Sequence, residues 1–510
     1  MSEELNQVLR NRREKLARLQ ERGIEPFAYS FERSHDSTAV TEAFGRAEAD
    51  GALDEQGEAI EVRIAGRIVA WRGHGKSAFA HIEDGAGRLQ LYLRKDALGE
   101  ASFEDAMELL DLGDWLGVEG RVFRTRTGEV TVRVADWQLL AKSLRPLPMG
   151  KVEVDAETGE RVVHSGFSDT ESRYRQRYAD LAVHPEVREV FRQRARIVSE
   201  LRRFLDAEGY LEVETPALQP LYGGASARPF VTRHNALDRE MFLRIADELY
   251  LKRLIVGGFE GVYEIAKDFR NEGIDRFHNP EFTMLEFYRA YADYHVMMDT
   301  IERMLVHVVE AVHGRRSVMY QGMELSFEAP FARIRFMEAL GEKLGADPAA
   351  MSDDELRARA KQLHVADVET LNRGKLLDKL FGELVEGELI QPTFVLDHPL
   401  ELSPLAKPHR SDDGVVERFE LYVHGAELAN AFSELNDPLD QRERFEGQDR
   451  LRSEGDDEAQ QVDEDYLRAM EYGMPPTGGL GMGIDRLVMM LTDQASIRDV
   501  ILFPVLRSEE

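Results

Sequence analysis

The hydrophobic pattern of this chain changes its period along the sequence, and that change limits the possible folds more than any other feature. Between Glu61 and about Lys142, apolar and polar residues alternate in five short segments: EVRIAGRIVAW, SAFAHIED, RLQLYLR, WLGVEGRVFRT and EVTVRVADWQLL. Such alternation predicts half-buried β-strands. From Pro185 to Gly209 the apolar spacing is instead that of an amphipathic helix. Because 510 residues are too many for one compact domain, we expect roughly two or three domains.

A predicted helix interrupts the run of strands. The sequence SFEDAMELLDL, between the third and the fourth strand, has helical spacing. Five strands with a helix after the third is the order of an OB-fold, a small barrel that binds single-stranded nucleic acid. We therefore place an OB-fold domain at 56–145. A small barrel without a ligand is the alternative.

Charge and turn-forming residues divide the rest of the chain. Residues 1–55 contain a predicted amphipathic helix, with six basic and two acidic side chains between 10 and 22. This segment is either a basic arm or an ordinary solvated helix. Residues 146–180 are rich in turn formers and are predicted to be a linker. A second domain is expected at 181–510, with a charged helical insertion at about 330–390.

The composition restricts the possible partners and metal ligands. The net charge is −30, from 65 basic and 95 acidic residues, which argues against nucleic acid unless basic patches are local. The chain has no cysteine, so disulfides and thiolate metal sites are excluded and a metal ion would need oxygen or imidazole ligands. No apolar run suits a membrane span, and the first residues do not resemble a secretory signal. We expect a cytoplasmic protein.

The stretch FRNEGIDRFHNPEFTMLEFY, residues 269–288, mixes charges with aromatic rings. Strand patterns on both sides of GIDRFHN predict a β-hairpin. Because strand residues alternate between faces, Arg270 would share a face with Glu272. On the returning strand one face would carry four residues, Phe282, Met284, Glu286 and Tyr288. If the faces coincide, the surface suits a planar base, a phosphate and a cation; the alternative is exposed salt bridges beside a half-buried hairpin.

A second pattern near the C-terminus, G-x-G-x-G-x-x-R, consists of Gly479, Gly481, Gly483 and Arg486. Glycines in a strand let another backbone or a ligand approach closely. Arg486 would lie in the first turn of the next helix, where the helix dipole already favours an anion. A dinucleotide-binding fingerprint does not fit, because no strand–helix–strand unit begins here.

Three ordered motifs carry a resemblance to a known family. The long helix leading to Pro216, the F-R-N-E of 269–272 and the G-x-G-x-G-x-x-R of 479–486 resemble the three motifs of class II aminoacyl-tRNA synthetases. The stretches GGASARPF (223–230) and FSELNDP (432–438) are most similar to class II lysyl-tRNA synthetases of the bacterial type. The resemblance extends over nearly the whole chain.

The resemblance implies an α+β fold, with an N-terminal five-stranded OB-fold β-barrel and a class II catalytic domain whose antiparallel sheet is flanked by helices. It implies a lysine–tRNA ligase that activates L-lysine with ATP to lysyl-adenylate and pyrophosphate. The lysyl group would then pass to the 3′-hydroxyl of the terminal adenosine of tRNA(Lys), with release of AMP. The long helix and Pro216 match the family's dimer interface, so a homodimer is expected.

The resemblance also implies roles for single residues in ATP binding. The expected ATP-binding residues are Arg270, Glu272, His278, Phe282 and Arg486. Arg270 would bridge the lysine carboxylate and the α-phosphate, and Arg486 would lie near the γ-phosphate; these two are the expected catalytic residues. Adenine would stack on Phe282. Glu420 and Glu427 would bind Mg²⁺, with about two or three ions implied by the resemblance and oxygen ligands suited to them.

For the amino acid, the resemblance implies a pocket rich in carboxylates. Its expected residues are Gly224, Glu248, Glu286, Tyr288, Asn430, Phe432 and Glu434. Glu434 would face the ε-ammonium with the help of Tyr288, and Glu248 and Glu286 would hold the α-amino group. A buried ammonium needs such partners because its desolvation is otherwise severe. A pocket for aspartate would need an arginine or a lysine instead.

In the barrel, the resemblance implies contacts with the anticodon. Phe79 would stack on the central uridine and Gln90 would hydrogen-bond to it, with Arg67 and Glu129 as further candidates. The basic helix at 10–22 would meet tRNA phosphates, so the RNA surface would be local despite the negative net charge. The alternative for Phe79 is a place in the barrel core.

Two departures from the family pattern lie beside the lysine pocket. Asp247 stands where many relatives have proline, and Ala431 stands where bacterial relatives often have glycine. Three rival functions remain at this point: a synthetase for aspartate or asparagine, a paralogue that lysylates a protein, and an RNA-binding protein with an inactive synthetase fold. Amino-acid activation by ATP without tRNA would distinguish them.

Overall fold

The computed structural model describes residues 3–154, 161–164, 166–453 and 460–508. It divides into two compact units, Met1–Asp169 and Thr170–Glu510. In the described part of the chain, no helix combines the length and the apolar composition that a membrane span would need. Residues 155–160 and 165, within the predicted linker, lie outside the described residues.

The first unit is built on a closed barrel. Its elements are α1 (Glu3–Glu21), α2 (Ser37–Ala49), β1 (Glu58–His74), β2 (Ser77–Glu83), β3 (Arg88–Arg94), α3 (Lys95–Leu98), α4 (Glu100–Leu109), β4 (Trp115–Arg124), β5 (Val130–Ala141), β6 (Lys151–Val154) and β7 (Arg161–His164). The barrel order is β1-β2-β3-β5-β4, with β3 and β5 parallel. Five strands with helices between the third and the fourth confirm the predicted OB-fold.

The barrel core follows from the alternation in its strands. Along β1, Val62, Ile64 and Ile68 are buried, while the residues between them are at least partly exposed or small. Helices α1 and α2 add Leu19 and Phe44 to the same core. The predicted N-terminal helical segment therefore packs on the barrel.

The second unit is a large sheet with helices. Its elements are α5 (Thr170–Arg175), α6 (Arg177–Val183), α7 (Pro185–Ala207), β8 (Leu211–Glu212), β9 (Leu218–Gln219), β10 (Val231–His234), β11 (Arg239–Leu243), α8 (Glu248–Val256), β12 (Gly261–Phe269), β13 (Glu281–Ala290), α9 (Tyr294–His313), β14 (Ser317–Tyr320), β15 (Met323–Ser326), β16 (Ala332–Arg335), α10 (Phe336–Leu344), α11 (Asp353–Gln362), α12 (Arg373–Leu384), β17 (Thr393–Leu396), β18 (Arg418–Val423), β19 (Ala426–Ser433), α13 (Pro438–Ser453), α14 (Glu464–Glu471), β20 (Thr477–Gly483), α15 (Ile484–Leu491) and α16 (Ile497–Val500).

The main sheet of this unit has the order β16-β17-β18-β19-β20-β13-β12-β8. Its inner pairs are antiparallel, and only the outermost pairs, β16 with β17 and β12 with β8, are parallel. Helices α7, α9 and α15 pack on one face and form the largest core with alternate strand residues, among them Leu285, Leu480 and Met482. The residues between these point to the opposite face, where the site lies.

The predicted long helix begins at Pro185 and ends before Gly209, which has a φ of +85°. Proline suits the first helical position, and glycine suits a left-handed residue just beyond a helix. The helical insertion begins later than predicted. Ala332–Arg335 is an edge strand of the main sheet, and the separate helical core of α10, α11 and α12 starts at Phe336.

One strand boundary differs from the prediction. Strand β12 ends at Phe269, which pairs with Glu281, so Arg270 and Glu272 lie in the connecting loop and not on a strand face. The chain bends there because the Arg270 amide donates to Pro280 O (2.9 Å) and the Glu272 amide donates back to Arg270 O (2.9 Å). The returning strand β13 has the predicted position.

Candidate active site

A cavity of about 440 Å³ lies on the open face of the main sheet. Its floor consists of alternate residues from three neighbouring strands: Phe282, Met284, Glu286 and Tyr288 of β13, Gly479, Gly481 and Gly483 of β20, and Asn430 and Phe432 of β19. The four residues of β13 share this face, as the period-two pattern predicted. The three glycines leave the centre of the floor without side chains.

Most of the predicted site residues line this cavity. Those on its wall are Gly224, Glu248, Arg270, Glu272, His278, Phe282, Glu286, Tyr288, Glu427, Asn430, Phe432 and Arg486. Glu420 and Glu434 are not on the lining. Glu434 is buried beside Gly479 of the floor, with 1% of its surface exposed, and Glu420 lies beside Arg418, which does line the cavity.

Gly479 makes room for the Glu434 carboxylate on the cavity side of β20. A Cβ atom at this position would lie 2.0 Å from Glu434 Oε1 and 2.3 Å from Cε1 of Tyr288, so no larger residue fits without displacing them. The Glu434 carboxylate therefore occupies the space that a side chain at 479 would fill, on the same face of the sheet as the cavity.

One part of the cavity is basic and aromatic. The Arg270 guanidinium lies 5.1 Å from the centre of the Phe282 ring, and its Nε donates to Ile245 O (3.3 Å). Arg486, in the first turn of α15, lies with Nη2 3.3 Å from His278 Nε2. His278 Nδ1 lies 2.7 Å from Asp275 Oδ2, so a neutral imidazole protonated at Nδ1 satisfies both contacts. This arrangement fixes one guanidinium group beside an aromatic face and a second one in the same cavity, which suits an anion and a planar base.

Another part of the cavity is acidic and buried. Tyr288 Oη donates to Glu286 Oε2 (2.9 Å), and the Asp247 amide donates to Glu286 Oε1 (3.3 Å). Burial, followed by the charges of Asp268 and Glu248, raises the pKa of Glu286 to about 8. Burial also raises the pKa of Glu434 well above its ordinary range. Such carboxylates would gain most from a cation that enters the pocket.

The predicted metal ligands Glu420 and Glu427 belong to a second group of carboxylates, together with Glu386. Glu420 and Glu427 lie on paired strands β18 and β19, and Tyr422 Oη lies 2.8 Å from Glu420 Oε2 and 3.1 Å from Glu386 Oε1, so its single proton can be donated to one of the two. Burial and the charge of Glu420 raise the pKa of Glu427. The pKa of Glu386 is raised to about 7, again mainly by burial. Crowded oxygen donors that repel one another fit a divalent cation such as Mg²⁺.

Three residues of this site were not expected from the sequence. Lys252 is completely buried between Glu248 and Glu434. Arg418 donates through Nε to Asn430 Oδ1 (3.0 Å), and Gln460 Oε1 accepts from the amide of Gly224 (3.2 Å). Lys252 belongs to the ELYLK stretch, but its charge alone gives no sign of burial, since most lysines are exposed.

The barrel unit carries the predicted anticodon residues on its outside. Phe79 alternates with the buried Ala78 and Ala80, is partly exposed and stacks on Tyr92 with ring centres 4.5 Å apart. Phe123 extends this aromatic row, with its ring centre 6.0 Å from that of Tyr92. The alternative of Phe79 as a core residue is therefore wrong.

The polar candidates of the barrel lie close to one another or to a ring. Gln90 is buried, donates through Nε2 to Glu129 Oε2 (2.7 Å) and accepts from Thr131 Oγ1 (2.8 Å). The Arg67 guanidinium lies 4.7 Å from the centre of the Trp115 ring. These contacts hold Gln90 and Arg67 in fixed orientations.

The basic helix α1 has fewer available charges than its composition suggests. Arg12 is buried and donates to Ser143 O (2.7 Å), and Lys15 pairs with Asp111 (2.7 Å). Arg18 and Arg22 both pair with Glu108. Four of the six basic side chains between residues 10 and 22 thus bind the barrel itself, because α1 packs along it.

Comparison with known protein families agrees with this geometry. The model of the family described as tRNA synthetases class II (D, K and N) matches residues 169–507. The chain belongs to the class II tRNA synthetases. A model described as an OB-fold nucleic acid binding domain matches residues 62–140 of this synthetase. The predicted resemblance and fold class are confirmed, and so is the prediction of a ligase.

Curated relatives resemble the synthetase over its full length. The lysine–tRNA ligase of Carboxydothermus hydrogenoformans is 52% identical over 509 residues, covering 100% of this chain and 99% of the relative. That of Oceanobacillus iheyensis is 49% identical and fully covered, and that of Christiangramia forsetii is 49% identical with 87% of its length covered. Class II synthetases use ATP and a divalent metal ion.

Proposed function

We propose that this synthetase is a lysine–tRNA ligase that forms lysyl-adenylate and pyrophosphate from L-lysine and ATP, and then lysylates tRNA(Lys) with release of AMP. The observation that carries the proposal is the division of one cavity into a cationic, aromatic part and a buried acidic part. Phe282 and Glu286 are four residues apart on β13, which corresponds to about 13 Å along a strand. Full-length similarity to lysine–tRNA ligases supports the same choice.

At the cationic part, ATP is proposed to bind with its adenine on Phe282. Arg486 and Arg270 would hold the phosphates, and Glu272 and His278 would complete the nucleotide site. The contact between His278 and Arg486 supports a phosphate site here. This contact holds the Arg486 guanidinium near the N-terminus of α15, where the helix dipole favours anions.

The chemistry requires positioning more than proton transfer. The lysine carboxylate is already ionised at neutral pH, and it attacks the α-phosphorus of ATP in line, so that the bond to pyrophosphate breaks as the bond to lysine forms. Two anions must approach each other in this step. Arg270 would contact both the carboxylate and the α-phosphate, which lowers their repulsion and aligns them. Arg270 and Arg486 are therefore the proposed catalytic residues.

Glu420 and Glu427 are the proposed ligands of Mg²⁺, of which about two or three ions are expected with ATP bound. When bound, the metal would neutralise charge on the phosphates. The crowding of these carboxylates with Glu386 supports the assignment, since a cation would offset the burial and the mutual repulsion that together raise the pKa of Glu427 and Glu386.

At the acidic part, L-lysine is proposed to bind through both of its ammonium groups. Glu434 and Tyr288 would receive the ε-ammonium, and Glu248 and Glu286 the α-amino group. Gly224, Asn430 and Phe432 would shape the pocket. Glu248, Glu286 and Glu434 are all buried, so a cationic side chain of the substrate is favoured. The same three carboxylates would repel the side-chain carboxylate of aspartate.

For tRNA, the proposed contact is the outer face of the barrel. Phe79 would stack on an anticodon base and Gln90 would read its edge, with Arg67 and Glu129 nearby. The partly exposed stack of Phe79 on Tyr92 supports this face. Of helix α1, only Arg10 and Arg13 would be available to meet phosphates without first breaking a contact with the barrel that the structure describes.

A homodimer in the cytoplasm is proposed as the working form. Leu211 and Leu218, on either side of Pro216, are 49% and 40% exposed, which suits burial against a second copy. The cytoplasm is where ATP, lysine and tRNA meet. Light scattering over a range of concentrations tests the dimer, and a mass that stays at 58.1 kDa would contradict it.

The direct test is ATP–pyrophosphate exchange with each standard amino acid in turn, without tRNA. Exchange with lysine alone is expected. Exchange with aspartate or asparagine would agree with the synthetase family but would refute the assignment of the acidic pocket to lysine. The absence of exchange with any amino acid would refute the proposed enzymatic activity. Glu434→Gln should abolish discrimination for lysine, whereas the exposed Glu471→Gln is the matched control and should behave as wild type.

A further inference from the structure

Lys252 is a buried ammonium that the proposed mechanism does not use. It lies on α8 with 0% of its surface exposed, and its Nζ pairs with Glu248 Oε1, one turn earlier, and with Glu434 Oε2 after β19. Nζ also lies 5.2 Å from the centre of the Phe432 ring. Burying an ammonium costs several kcal/mol unless its partners are well placed, so these contacts decide where the neighbouring carboxylates lie.

Glu434 depends on this one partner. Apart from the ion pair with Lys252, neither of its oxygens accepts a hydrogen bond from the residues that the structure describes. The two oxygens face different surroundings, because Oε2 pairs with Lys252 while Oε1 lies over Gly479, beside the Tyr288 ring, on the cavity side of the sheet. One oxygen is therefore anchored, and the other is directed to the pocket.

The charges of this end of the cavity also depend on Lys252. Glu248, Glu286 and Glu434 are buried together, and three ionised carboxylates at such a place would repel one another and take up protons. Lys252 supplies one fixed positive charge in contact with two of them. Once the substrate's ammonium groups enter and the three carboxylates are ionised, Lys252 leaves these side chains with a net charge of about −2, which matches the two ammonium groups of free lysine.

We propose that Lys252 is a positioning residue for amino-acid recognition: its ammonium orients Glu434 and Glu248 and offsets part of their negative charge, so that they can receive the ammonium groups of the substrate. This inference rests on the proposed lysine specificity. Lys252 itself does not touch the substrate. It acts through Glu434, and the loss of its charge affects lysine binding while the ATP part of the cavity stays intact.

The test is a double-mutant cycle in ATP–pyrophosphate exchange, with wild type, Lys252→Met, Glu434→Gln and the double variant. Lys252→Met should raise KM for lysine by about 10- to 100-fold, with KM for ATP changed less than about twofold. Because both substitutions break one pair, the double variant should be little worse than Glu434→Gln alone. Multiplicative losses in the double variant, or equal losses for lysine and ATP, would overturn the proposal.

Two further measurements keep the test decisive. If Lys252→Met fails to fold, Lys252→Arg keeps the positive charge and should retain lysine discrimination, whereas Lys252→Gln, which is also polar but neutral, should not; equal behaviour of these two variants would overturn the proposal. A wild-type enzyme that does not exchange with lysine overturns the proposed function. A wild type that does, together with an unchanged KM for lysine in Lys252→Met, overturns this inference alone.

Discussion

Replacing Asp247 by asparagine should stabilise the synthetase at neutral and higher pH but not at pH 5. Asp247 is completely buried at the start of α8, and one of its oxygens lies within 4.8 Å of oxygens of Asp268 and Glu286. Arg244 Nη1 lies 3.1 Å from the Asp247 carboxylate, but it donates its hydrogen bonds to Glu264 Oε1 (2.7 Å) and Thr215 O (3.2 Å). The described residues donate no hydrogen bond to the Asp247 side chain.

The size of the stabilisation follows from the proton that the Asp247 carboxyl keeps in the folded state. Burial, followed by the charges of Asp268 and Glu286, raises the pKa of Asp247 from its ordinary 3.8 to about 10. The folded state then keeps a proton that the unfolded state loses, so the free energy of unfolding falls by about 1.4 kcal/mol per pH unit as pH rises from about 4 towards 10. At pH 7 the accumulated loss is on the order of 4 kcal/mol.

Asparagine removes this dependence because it is neutral at every pH. Its amide is also poorly hydrogen-bonded at this position, which costs about 1–3 kcal/mol. The variant should therefore gain at least about 1 kcal/mol at pH 7, more at pH 9, and nothing at pH 5, where the two effects cancel. This corresponds to a rise of roughly 1 °C or more in the melting temperature of the catalytic unit at pH 7.

The assay is thermal unfolding without substrates at pH 5, 7 and 9, with the exposed Asp413→Asn as the matched control. The control should follow wild type at every pH. A variant Asp247→Asn that melts below wild type at pH 9, or whose difference from wild type is the same at all three values, would show that Asp247 is ionised and paired with Arg244, and would refute the reasoning.

Three further predictions test the site. Glu434→Gln should raise KM for lysine by about 100-fold and leave KM for ATP nearly unchanged, since a buried carboxylate pairing is worth about 3 kcal/mol; equal effects on both constants in exchange assays would show that the pocket is misassigned. Gly479→Ala should also weaken lysine binding, by about 10-fold or more, because its Cβ would lie 2.0 Å from Glu434 Oε1. Gly481→Ala should weaken lysine binding less, because the nearest atom to its Cβ is the flexible end of Met284 at 3.3 Å. A larger effect at Gly481 than at Gly479 would contradict the geometry. Phe79→Ala should lower tRNA lysylation by about 10- to 100-fold through the lost stack while exchange without tRNA stays normal, and a parallel loss in exchange would mean that the barrel was destabilised instead.

Local patterns were sufficient for much of the fold. Period two located the barrel strands and the residues of β13 that face the cavity, since both depend only on which side of a strand a residue occupies. Pro185 and Gly209 marked the ends of α7. Where local propensity competes with tertiary contacts the prediction was less accurate, as with the strand β16, which is stabilised by its pairing with β17.

The sequence by itself determined the family, the order of the elements and the types of residue at the site, because ordered motifs and periodicity are properties of neighbouring residues along the chain. Only the tertiary structure decided that Lys252 is buried against Glu434, that Arg270 leaves the strand, and that Asp247 joins Asp268 and Glu286. Those contacts join residues from separate elements. Strand register and helix packing fix their distances, and burial then changes what each charge can do.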